Sequence, residues 1–299
     1  MLDTLLVTGI TGSLGRAVIA NSRWPGRIRG LSRDEQKQDK MRPLAEQLGL
    51  QLVLGDVRDL NKCRMVTRNV AAVIHTAALK IIPNSAYNPD EVIRTNALGT
   101  ENVLRAAIEN KVPKVIVVST DKACWPSTLY GATKLCQEAL AVEMNGWSPD
   151  TNISVVRYGN VKNSRGSFTH QLENPDSVLK ITDPECTRFW IELEDAVAFI
   201  VDCMDKMIGG EIFVPRMRSK RLGDMIPPGA QFEVVGLRKT EKLHEWCVAP
   251  HELPHTDVTP YSFVVRPWPH QGTLGEATPY ASNSPEEWGS ENRNPDRES

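Results

Sequence analysis

The stretch VTGITGSLG, residues 7–15, decides the fold, because it places glycines at positions 9, 12 and 15 directly after a short apolar run. The apolar run at 4–9 predicts a buried strand, and SLGRAVIANS at 13–22 predicts the helix that follows it. At such a turn, glycines allow the backbone to approach a pyrophosphate at the helix N-terminus. A turn that is merely tight is the alternative interpretation. We predict a dinucleotide site with contacts from Gly9, Thr11, Gly12, Ser13, Leu14 and Gly15.

The alternation of strand and helix continues to residue 160. Further apolar runs predict strands at 27–32, 50–56, 71–78, 114–120 and 153–160. Helical patterns lie between them, most clearly at 89–110 and 127–145. Strands that alternate with helices indicate a parallel sheet covered on both faces. The predicted fold is therefore α/β, a Rossmann-type doubly wound parallel sheet with a smaller C-terminal substrate lobe.

Beyond residue 160 the strands become shorter and proline more frequent. A helix is predicted at 194–208, and strands of a smaller lobe at 211–215 and 232–236. We expect a cofactor domain at 1–160, to which 190–208 returns, a substrate lobe at 161–189 and 209–267, and a partly flexible tail at 268–299.

The stretch TPYASNSPEEW, residues 278–288 of the tail, holds an aromatic pair, Tyr280 and Trp288, among polar residues. We expect this piece to pack on the body or on a neighbouring subunit, because the burial of aromatic rings offsets the entropy cost of ordering a chain. Residues 290–299 offer no apolar anchor and are expected to be loose.

The composition of the 299 residues is typical of a soluble globular protein, with 40% apolar and 24% charged residues. A net charge of −2 gives no global field that would recruit nucleic acid. The six cysteines form no C-x-x-C pair, so we expect reduced thiols, no metal site and a cytoplasmic protein. The sequence shows no signal peptide and no apolar run that could span a membrane.

The second predicted strand ends in SRDEQKQ, residues 32–38, which bears on the choice of cofactor. NAD-binding proteins place an acid here, against the ribose hydroxyls. Ser32, Arg33 and Lys37 offer a hydroxyl and cations that suit a 2′-phosphate, so NADP is favoured. Asp34 leaves NAD as an alternative cofactor. Arg33 and Lys37 could also be solvated residues of a loop without a role in binding.

The stretch STDKACWPSTLYGATK, residues 119–134, holds the candidate catalytic residues. Tyr130 and Lys134 lie four positions apart and share a face of the predicted helix. A cationic lysine beside a tyrosine lowers the pKa of its hydroxyl, which makes the phenolate available as a base. Thr120 adds a hydroxyl, and Asp121 and Lys122 add an acid next to a base. The alternatives are a chance Tyr-Lys pair and a surface ion pair.

Many stretches of the chain, spread over about 4–267, resemble the extended short-chain dehydrogenase/reductase family, and within it the inverting UDP-N-acetylglucosamine 4,6-dehydratases that start pseudaminic acid synthesis. The resembling stretches are TGITGSLG, SRDEQKQ, HTAALK, NALGTENV, STDKA, YGATKLCQE, VRYGNV, SRGS, ITDPECTRFWI, GGEIFVP and EKLHE. Together they are far more specific than the glycine turn and the Tyr-Lys pair alone.

The resemblance implies a division of labour within residues 119–134. Tyr130 deprotonates the 4-hydroxyl of the sugar while hydride passes to NADP, and the C4 ketone acidifies the C5–H bond. Lys122 removes the C5 proton and Asp121 protonates the leaving 6-hydroxyl. Lys122 must be neutral for this, and we expect burial, Lys134 and the oxidised nicotinamide to lower its pKa. Protonation from the opposite face would invert C5.

The resemblance also implies contacts outside that stretch. Asp56 would accept a hydrogen bond from the adenine amino group, and Val57, Ala77, Ala78 and Lys80 would line the cofactor. Lys80 would also contact the substrate. Arginine forks suit a diphosphate, although each residue alone could be a structural ion pair. The candidates for the nucleotide-sugar are Asn160, Arg165, Ser167, Arg188, Arg216, Arg238 and Glu241.

The sequence departs from the family in its substrate lobe. It has RKTEK at 238–242, where relatives carry R-P-G-E-K, so the sugar is less determined than the reaction. A UDP-sugar C4 epimerase and a non-catalytic NADP-binding regulatory protein remain as alternatives. Relatives assemble as homo-oligomers, and we expect the same here.

Overall fold

The computed structural model of the protein describes residues 3–21, 24–162, 164, 178–273 and 280–284. The strands in these ranges are β1 Leu5–Thr8, β2 Ile28–Ser32, β3 Gln51–Leu54, β4 Ala72–His75, β5 Lys114–Thr120, β6 Asn152–Tyr158, β7 Asn160–Val161, β8 Leu179–Ile181, β9 Thr187–Ile191, β10 Ile212–Pro215, β11 Arg218–Arg221, β12 Phe232–Val234, β13 Trp246–Val248, β14 Thr256–Val258, β15 Ser262–Val265 and β16 Tyr280–Ala281. The helices are α1 Ser13–Asn21, α2 Glu35–Asp39, α3 Arg42–Leu48, α4 Leu60–Val66, α5 Ile82–Tyr87, α6 Pro89–Ile93, α7 Gly99–Glu109, α8 Leu129–Met144 and α9 Leu193–Lys206.

A nine-stranded sheet carries the fold, in the order β14-β15-β10-β6-β5-β4-β1-β2-β3. Strands β1 to β6 and β10 run parallel, whereas β14 and β15 are antiparallel additions at one edge. The strand order reverses between β1 and β4, and ligands of doubly wound sheets bind outside the strand ends at this point. The predicted fold class is confirmed.

The sheet is covered on both faces, which explains the apolar runs of its strands. All four residues of β1 and all four of β4 are buried. Helix α1 packs against α9, and α7 packs against both α4 and α8. A strand buried on both faces needs apolar side chains at successive positions rather than at alternate ones.

One strand predicted for the smaller lobe belongs instead to the large sheet. Strand β10 pairs with β6 through Ile212 and Val155, and β15 pairs with β10. All four residues of β10 are buried, because the strand lies inside the sheet. The assignment of 211–215 to the substrate lobe was therefore wrong. The smaller sheets are β11-β9-β7, β12-β8 and β13-β16.

The helix predicted at 89–110 is interrupted by a π-helical turn at Arg94–Leu98, between α6 and α7. This turn holds Asn96, which is fully buried. The Asn96 side chain accepts from the Leu79 backbone N–H at 2.8 Å and donates to the Leu79 carbonyl at 3.0 Å. Such π turns are frequent at functional sites. Here the turn fixes the loop that carries Lys80.

Strand β16 fastens a late part of the chain onto the body. Tyr280 is buried as predicted, with its ring 4.7 Å from the rings of Phe189 and Phe263. Its hydroxyl accepts from the Met217 N–H at 2.7 Å and donates to the Met217 carbonyl at 3.0 Å. Trp288 and 290–299 lie outside the described residues.

All six cysteines are free thiols, and only Cys136 is exposed. Across the described ranges, no cluster of histidine, cysteine and acidic side chains has the makings of a metal site. In that same part of the chain, no helix combines the length and apolarity needed to cross a membrane.

Candidate functional site

The turn after β1 requires glycine at two positions. Gly9 has a φ of 70°, and a Cβ there would lie 2.9 Å from the Ala77 backbone. A Cβ at Gly15 would lie 2.6 Å from the Gly9 carbonyl oxygen, because α1 begins directly above the turn. Side chains at both positions are thus excluded. The first turn of α1 and its backbone N–H groups therefore approach the strand ends closely, as a pyrophosphate site needs.

The end of β2 presents one cation more freely than the other. Asp34 caps α2 by accepting from the Lys37 N–H at 2.9 Å, and its carboxylate also pairs with the Lys37 ammonium. Arg33 Nη1 lies 3.6 Å from Asp56 Oδ2, with a side chain 44% exposed. Arg33 therefore remains the better placed of the two predicted phosphate contacts. Ser32 is buried, and Gln38 donates to its hydroxyl at 3.2 Å.

Asp56 lies at the centre of an ion cluster that the sequence did not predict. Arg58 Nη2 is 2.7 Å from Asp56 Oδ2, and Arg58 Nη1 contacts Glu91 at 2.5 Å. Burial would raise the pKa of Asp56, but the hydrogen bonds from Arg58 and the charge of Arg33 lower it overall. Val57 is buried beside this cluster. The carboxylate is therefore ionised, and its partners in the structure are Arg58 and Arg33.

The loop after β4 lies beside the glycine turn. The Ala77 N–H donates to the Thr8 hydroxyl at 3.3 Å, and Ala78 follows it, half-buried. Lys80 is exposed, and its ammonium lies 3.5 Å from the Ser164 hydroxyl. The lysine thus reaches from the predicted cofactor side towards the segment that follows β7.

Tyr130 and Lys134 share the buried face of α8, as their spacing predicted. The Thr128 hydroxyl caps this helix by accepting from the Gly131 N–H at 3.0 Å. The Lys134 ammonium donates to the Val118 carbonyl at 2.6 Å and to the Gln137 side chain. Burial lowers the pKa of Lys134 to about 7.

Burial raises the pKa of Tyr130 to about 12. The groups that act against this rise in the pKa of Tyr130 are the Lys122 charge and a hydrogen bond with Thr120. The expectation that Lys134 lowers this pKa needs correction, because the Lys134 ammonium is directed at the Val118 carbonyl and Gln137.

Asp121 and Lys122 form a mostly buried ion pair on a 3₁₀ turn directly after β5. The Lys122 ammonium lies 3.0 Å from Asp121 Oδ1 and 3.3 Å from Asn160 Oδ1. Thr120 donates to the same Asp121 oxygen at 2.9 Å. Among the described residues, Asp121 Oδ2 has no hydrogen-bond partner. Burial raises the pKa of Asp121, which favours its protonated form.

The expected neutral Lys122 is not what the structure contains. Burial acts to lower its pKa, but the charges of Asp121 and Glu245 raise it further than burial lowers it. Lys122 is therefore held as an ammonium ion.

Sequence reasoning missed Glu245 and Lys242. Glu245 Oε1 lies 3.7 Å from the Lys122 ammonium, and Glu245 Oε2 lies 2.8 Å from that of Lys242. Burial acts to raise the pKa of Glu245, yet the charges of Lys122 and Lys242 lower it overall. The stretch EKLHE was a usable signal, although only its first glutamate was selected.

A cavity opens beside Lys122 and the N-terminus of α8. Arg188 Nη2 lies 3.1 Å from Glu241 Oε1, and Arg238 Nη1 lies 3.6 Å from Glu241 Oε2. The two arginines thus share one carboxylate across the cavity. The lining residues are Ile82, Lys122, Ser127, Thr128, Arg188, Arg238, Thr240, Glu241, Lys242 and Glu245.

Arg216 is not among the cavity residues, contrary to the prediction. Its guanidinium lies 5.2 Å above the Phe263 ring, and Nη2 donates to the Thr259 carbonyl at 3.1 Å. The position directly after β10 draws it towards the antiparallel edge of the sheet. Arg165 and Ser167 lie outside the described residues.

Comparison with known proteins agrees with this geometry. Residues 5–267 match the sequence model of a family described as polysaccharide biosynthesis protein. The chain belongs to this family. The predicted resemblance to inverting UDP-N-acetylglucosamine 4,6-dehydratases is confirmed by a relative of that name that is 42% identical over most of this chain.

Two relatives of the chain carry different activities in their names. An inverting UDP-N-acetylglucosamine 4,6-dehydratase of Campylobacter jejuni is 42% identical over 257 residues, which cover 82% of this chain and 77% of the relative. A UDP-glucose 4-epimerase of Rickettsia conorii is 39% identical over 273 residues, which cover 85% and 80%.

Solved structures resemble the family member over most of its length. Pen from Bacillus thuringiensis superposes with a TM-score of 0.87 at 29% identity, covering 95% of this chain and 94% of Pen. A dTDP-glucose 4,6-dehydratase of Streptomyces venezuelae, solved with NAD bound, gives 0.72 at 22% identity, with 80% and 86% covered. The second likeness concerns the fold alone.

Proposed function

We propose that the protein is a nucleotide-sugar 4,6-dehydratase that acts on UDP-N-acetylglucosamine. The observation that carries the proposal is the Asp121–Lys122 ion pair, which lies buried beside Tyr130 and Thr120. Oxidation of a hydroxyl needs only the tyrosine and its neighbours, whereas loss of water needs an acid and a base in addition. The 42% identity to a dehydratase of that substrate supports the same interpretation.

The residues at the β1 turn fit a nicotinamide dinucleotide, because Gly9 and Gly15 leave space that any Cβ would fill. When bound, this cofactor supplies a hydride acceptor at C4 and a hydride donor at C6. We assign NADP rather than NAD, since Arg33 is exposed at the end of β2 while Asp34 is occupied as a helix cap. Asp56 would then accept from the adenine.

The first chemical task falls to Tyr130, whose phenolate form accepts the proton of the 4-hydroxyl. Thr120 and the Lys122 charge support it, because both favour the phenolate. A ketone at C4 makes the adjacent C5–H bond acidic. The C5 proton and the 6-hydroxyl then have to leave as water.

The Asp121–Lys122 pair supplies that second task through one internal proton shift. Transfer across the 3.0 Å hydrogen bond converts the ammonium into an amine and the carboxylate into an acid. The amine then removes the C5 proton, and Asp121 protonates the departing 6-hydroxyl. Return of a proton to the other face of C5 would invert that centre, and the Campylobacter relative is named an inverting enzyme.

The cavity would hold the nucleotide diphosphate. Arg188 and Arg238 already share the Glu241 carboxylate, and a diphosphate offers a stronger partner for the same guanidinium groups. We also propose that the protein acts in pseudaminic acid synthesis. Separately, we propose that it forms a homo-oligomer. In support of an interface, Leu98 and Leu135 expose about half of their surface on neighbouring helical segments.

The decisive experiment is turnover of UDP-N-acetylglucosamine with NADP in heavy water, followed by mass spectrometry and NMR. We expect loss of one water, one solvent deuterium at C5 and transfer of the C4 hydrogen to C6. The inverted C5 configuration should be visible in the NMR spectrum. An unchanged sugar would leave the non-catalytic regulatory alternative and defeat the proposal.

A UDP-sugar 4-epimerase is the second candidate, favoured by the 39% identity to the Rickettsia enzyme. Epimerisation uses Tyr130 and Thr120 but gives no role to the buried Asp121–Lys122 pair. In the same experiment, an epimerase would change the C4 configuration without loss of mass and without deuterium at C5.

A further inference from the structure

Lys122 is held by carboxylates from two distant parts of the chain. Asp121 Oδ1 lies 3.0 Å from its ammonium, and Glu245 Oε1 lies 3.7 Å away on the segment before β13. The Lys122 side chain is 17% exposed and the two carboxylate side chains 0% and 5%. Water therefore screens this arrangement weakly, so each charge acts strongly on the next.

Glu245 is itself fixed from both sides. Its Oε2 lies 2.8 Å from the Lys242 ammonium, which also donates to the carbonyls of Cys124 and Trp125 at 3.2 and 3.3 Å. The Glu245 backbone N–H donates to the Ser282 hydroxyl at 2.9 Å, and its carbonyl accepts from the Ser282 N–H at 2.8 Å. The carboxylate consequently has one defined position relative to Lys122.

The four side chains alternate in charge, in the order Asp121, Lys122, Glu245 and Lys242. The row runs from the turn after β5 into the cavity lined by Arg188 and Glu241. Removal of one member from such a buried row leaves its neighbour with an uncompensated charge. Tyr130 and Thr120 form no contact with Glu245 among the hydrogen bonds and ion pairs of the described residues, so Glu245 can act on oxidation at C4 only through the charge of Lys122, which Asp121 also holds.

We propose that Glu245 is a positioning residue for the elimination, which holds the Lys122 amine opposite Asp121 and governs how that pair shares a proton. The inference rests on the proposed dehydratase function. Glu245 acts through Lys122 and does not touch the reacting carbon atoms. It fixes the distance over which Lys122 reaches C5, and its negative charge opposes loss of the Lys122 proton until substrate is in place.

The test compares Glu245→Gln with the matched variant Glu241→Gln. The Glu241 carboxylate lies on the same segment and pairs with Arg188 and Arg238. For Glu245→Gln, kcat for water loss should fall by about 10- to 100-fold with KM unchanged, because a small misplacement of a reacting group has this effect. For Glu241→Gln, KM should change instead. Reduction of NADP in the first turnover should proceed normally in Glu245→Gln.

The pH profile of C5 deuterium exchange provides a readout that a structural role would not move. The charged groups that face Lys122 are Asp121 on its own turn, Tyr130 on α8, Arg188 on β9 and Glu245 beside Lys242. Glu245→Gln removes the negative charge of Glu245, so the Lys122 ammonium should give up its proton more readily. The rate of C5 deuterium exchange should then rise at a lower pH than in the wild-type enzyme. Glu245→Asp should retain the wild-type profile at a reduced rate.

Lys242→Met provides a second test if Glu245→Gln fails to fold, because it removes the ion-pair partner of Glu245 and leaves the Glu245 carboxylate in place. A smaller fall in the same kcat is expected. If both Glu245→Gln and Lys242→Met retain the wild-type kcat and pH profile, the inference about Glu245 is wrong, while the proposed dehydratase function is unaffected. No water loss by the wild-type enzyme would overturn the proposed function, and this inference with it.

Discussion

Lys134 and Lys122 are both enclosed near the reactive centre, yet their surroundings shift their pKa values in opposite directions. The Lys134 ammonium donates to the Val118 carbonyl and the Gln137 amide, both neutral acceptors, and its pKa falls to about 7. The Lys122 ammonium lies between Asp121 and Glu245, and its pKa is raised. Burial acts in the same direction on both lysines. The charge of the neighbours therefore decides the outcome.

A carboxylate does lie near Lys134, but another cation occupies it. Glu138, one turn along α8, accepts from Arg157 at 3.0 and 2.6 Å with both oxygens. Arg157 is fully buried and also binds Glu252 at 2.7 Å. The arginine thus keeps Glu138 from pairing closely with Lys134. A lysine with a pKa of about 7, on the same buried helix face as Tyr130, suits proton exchange during oxidation.

The largest effect is expected from Tyr130→Phe, which removes the reacting hydroxyl on the Lys134 side. Both C4 oxidation and water loss should fall by about 10⁴, the upper range for a general base. Binding of UDP-N-acetylglucosamine should persist, because Arg188 and Arg238 are untouched. Stopped-flow absorbance of the reduced cofactor and calorimetric binding measure the two quantities. Persistent cofactor reduction would show that another group is the base.

Changes on the Lys122 side should separate the later steps from oxidation. Lys122→Ala should still oxidise C4 to some extent but lose C5 exchange by about 10²–10⁴. Asp121→Asn should exchange the C5 hydrogen while it eliminates water slowly. Deuterium incorporation and water loss, followed together in heavy water, distinguish them. C5 exchange at the wild-type rate in Lys122→Ala would place the base elsewhere.

Arg33 is a third cation, with one shared carboxylate at 3.6 Å and an exposed side chain. Arg33→Ala should weaken NADP binding by about 10- to 100-fold, because a charge-assisted hydrogen bond contributes about 1.5–3 kcal/mol. NAD binding should change little. Lys37→Ala serves as the control, since Lys37 already pairs with Asp34. Fluorescence titration with both cofactors checks this, and equal losses for NADP and NAD would refute the 2′-phosphate assignment.

The smallest effect concerns stability against pH in the cofactor-free protein. Because the folded pKa of Lys134 is about 7 and the unfolded value is near 10.4, the unfolded chain binds more protons between them. The Lys134 contribution to the free energy of unfolding should therefore rise by about 2 kcal/mol from pH 7 to 9.

The comparison with Lys122 sharpens this expectation. Its folded pKa is raised, so its contribution is fully present below the unfolded value and stays constant across the same pH range. Urea unfolding of Lys134→Met and Lys122→Met at both pH values provides the measurement. The wild-type advantage should grow with pH for the first variant only, and equal pH slopes would contradict the assigned charge states.

The N-terminal half of the site could be predicted because its signals are local. Gly9 and Gly15 follow a strand within a few residues, and the i,i+4 spacing of Tyr130 and Lys134 places them on one helix face. Strand order then brings these segments to the same sheet edge. The ion cluster around Asp56 and the π turn that buries Asn96 were not predicted, the second because a helical pattern does not reveal an inserted residue.

The other half depends on contacts between distant segments, which no periodicity encodes. Glu245 meets Lys122 across more than a hundred residues, from an irregular segment before a three-residue strand. The charge of Lys122 could not be predicted without it. Arg216 was expected in the cavity, yet its ring contact with Phe263 depends on how β15 joins β10.

The pairing of β16 with β13 has a consequence for the protein during translation. Ser282 holds the backbone of Glu245, and Tyr280 completes the cluster with Phe189 and Phe263. A ribosome must add about 150 residues after Lys134 to reach Ser282, and their synthesis takes on the order of ten seconds. During that interval the nascent chain already contains Tyr130, Lys134, Asp121 and Lys122. The reactive centre is thus fully translated early, but its last support arrives only near the end of synthesis.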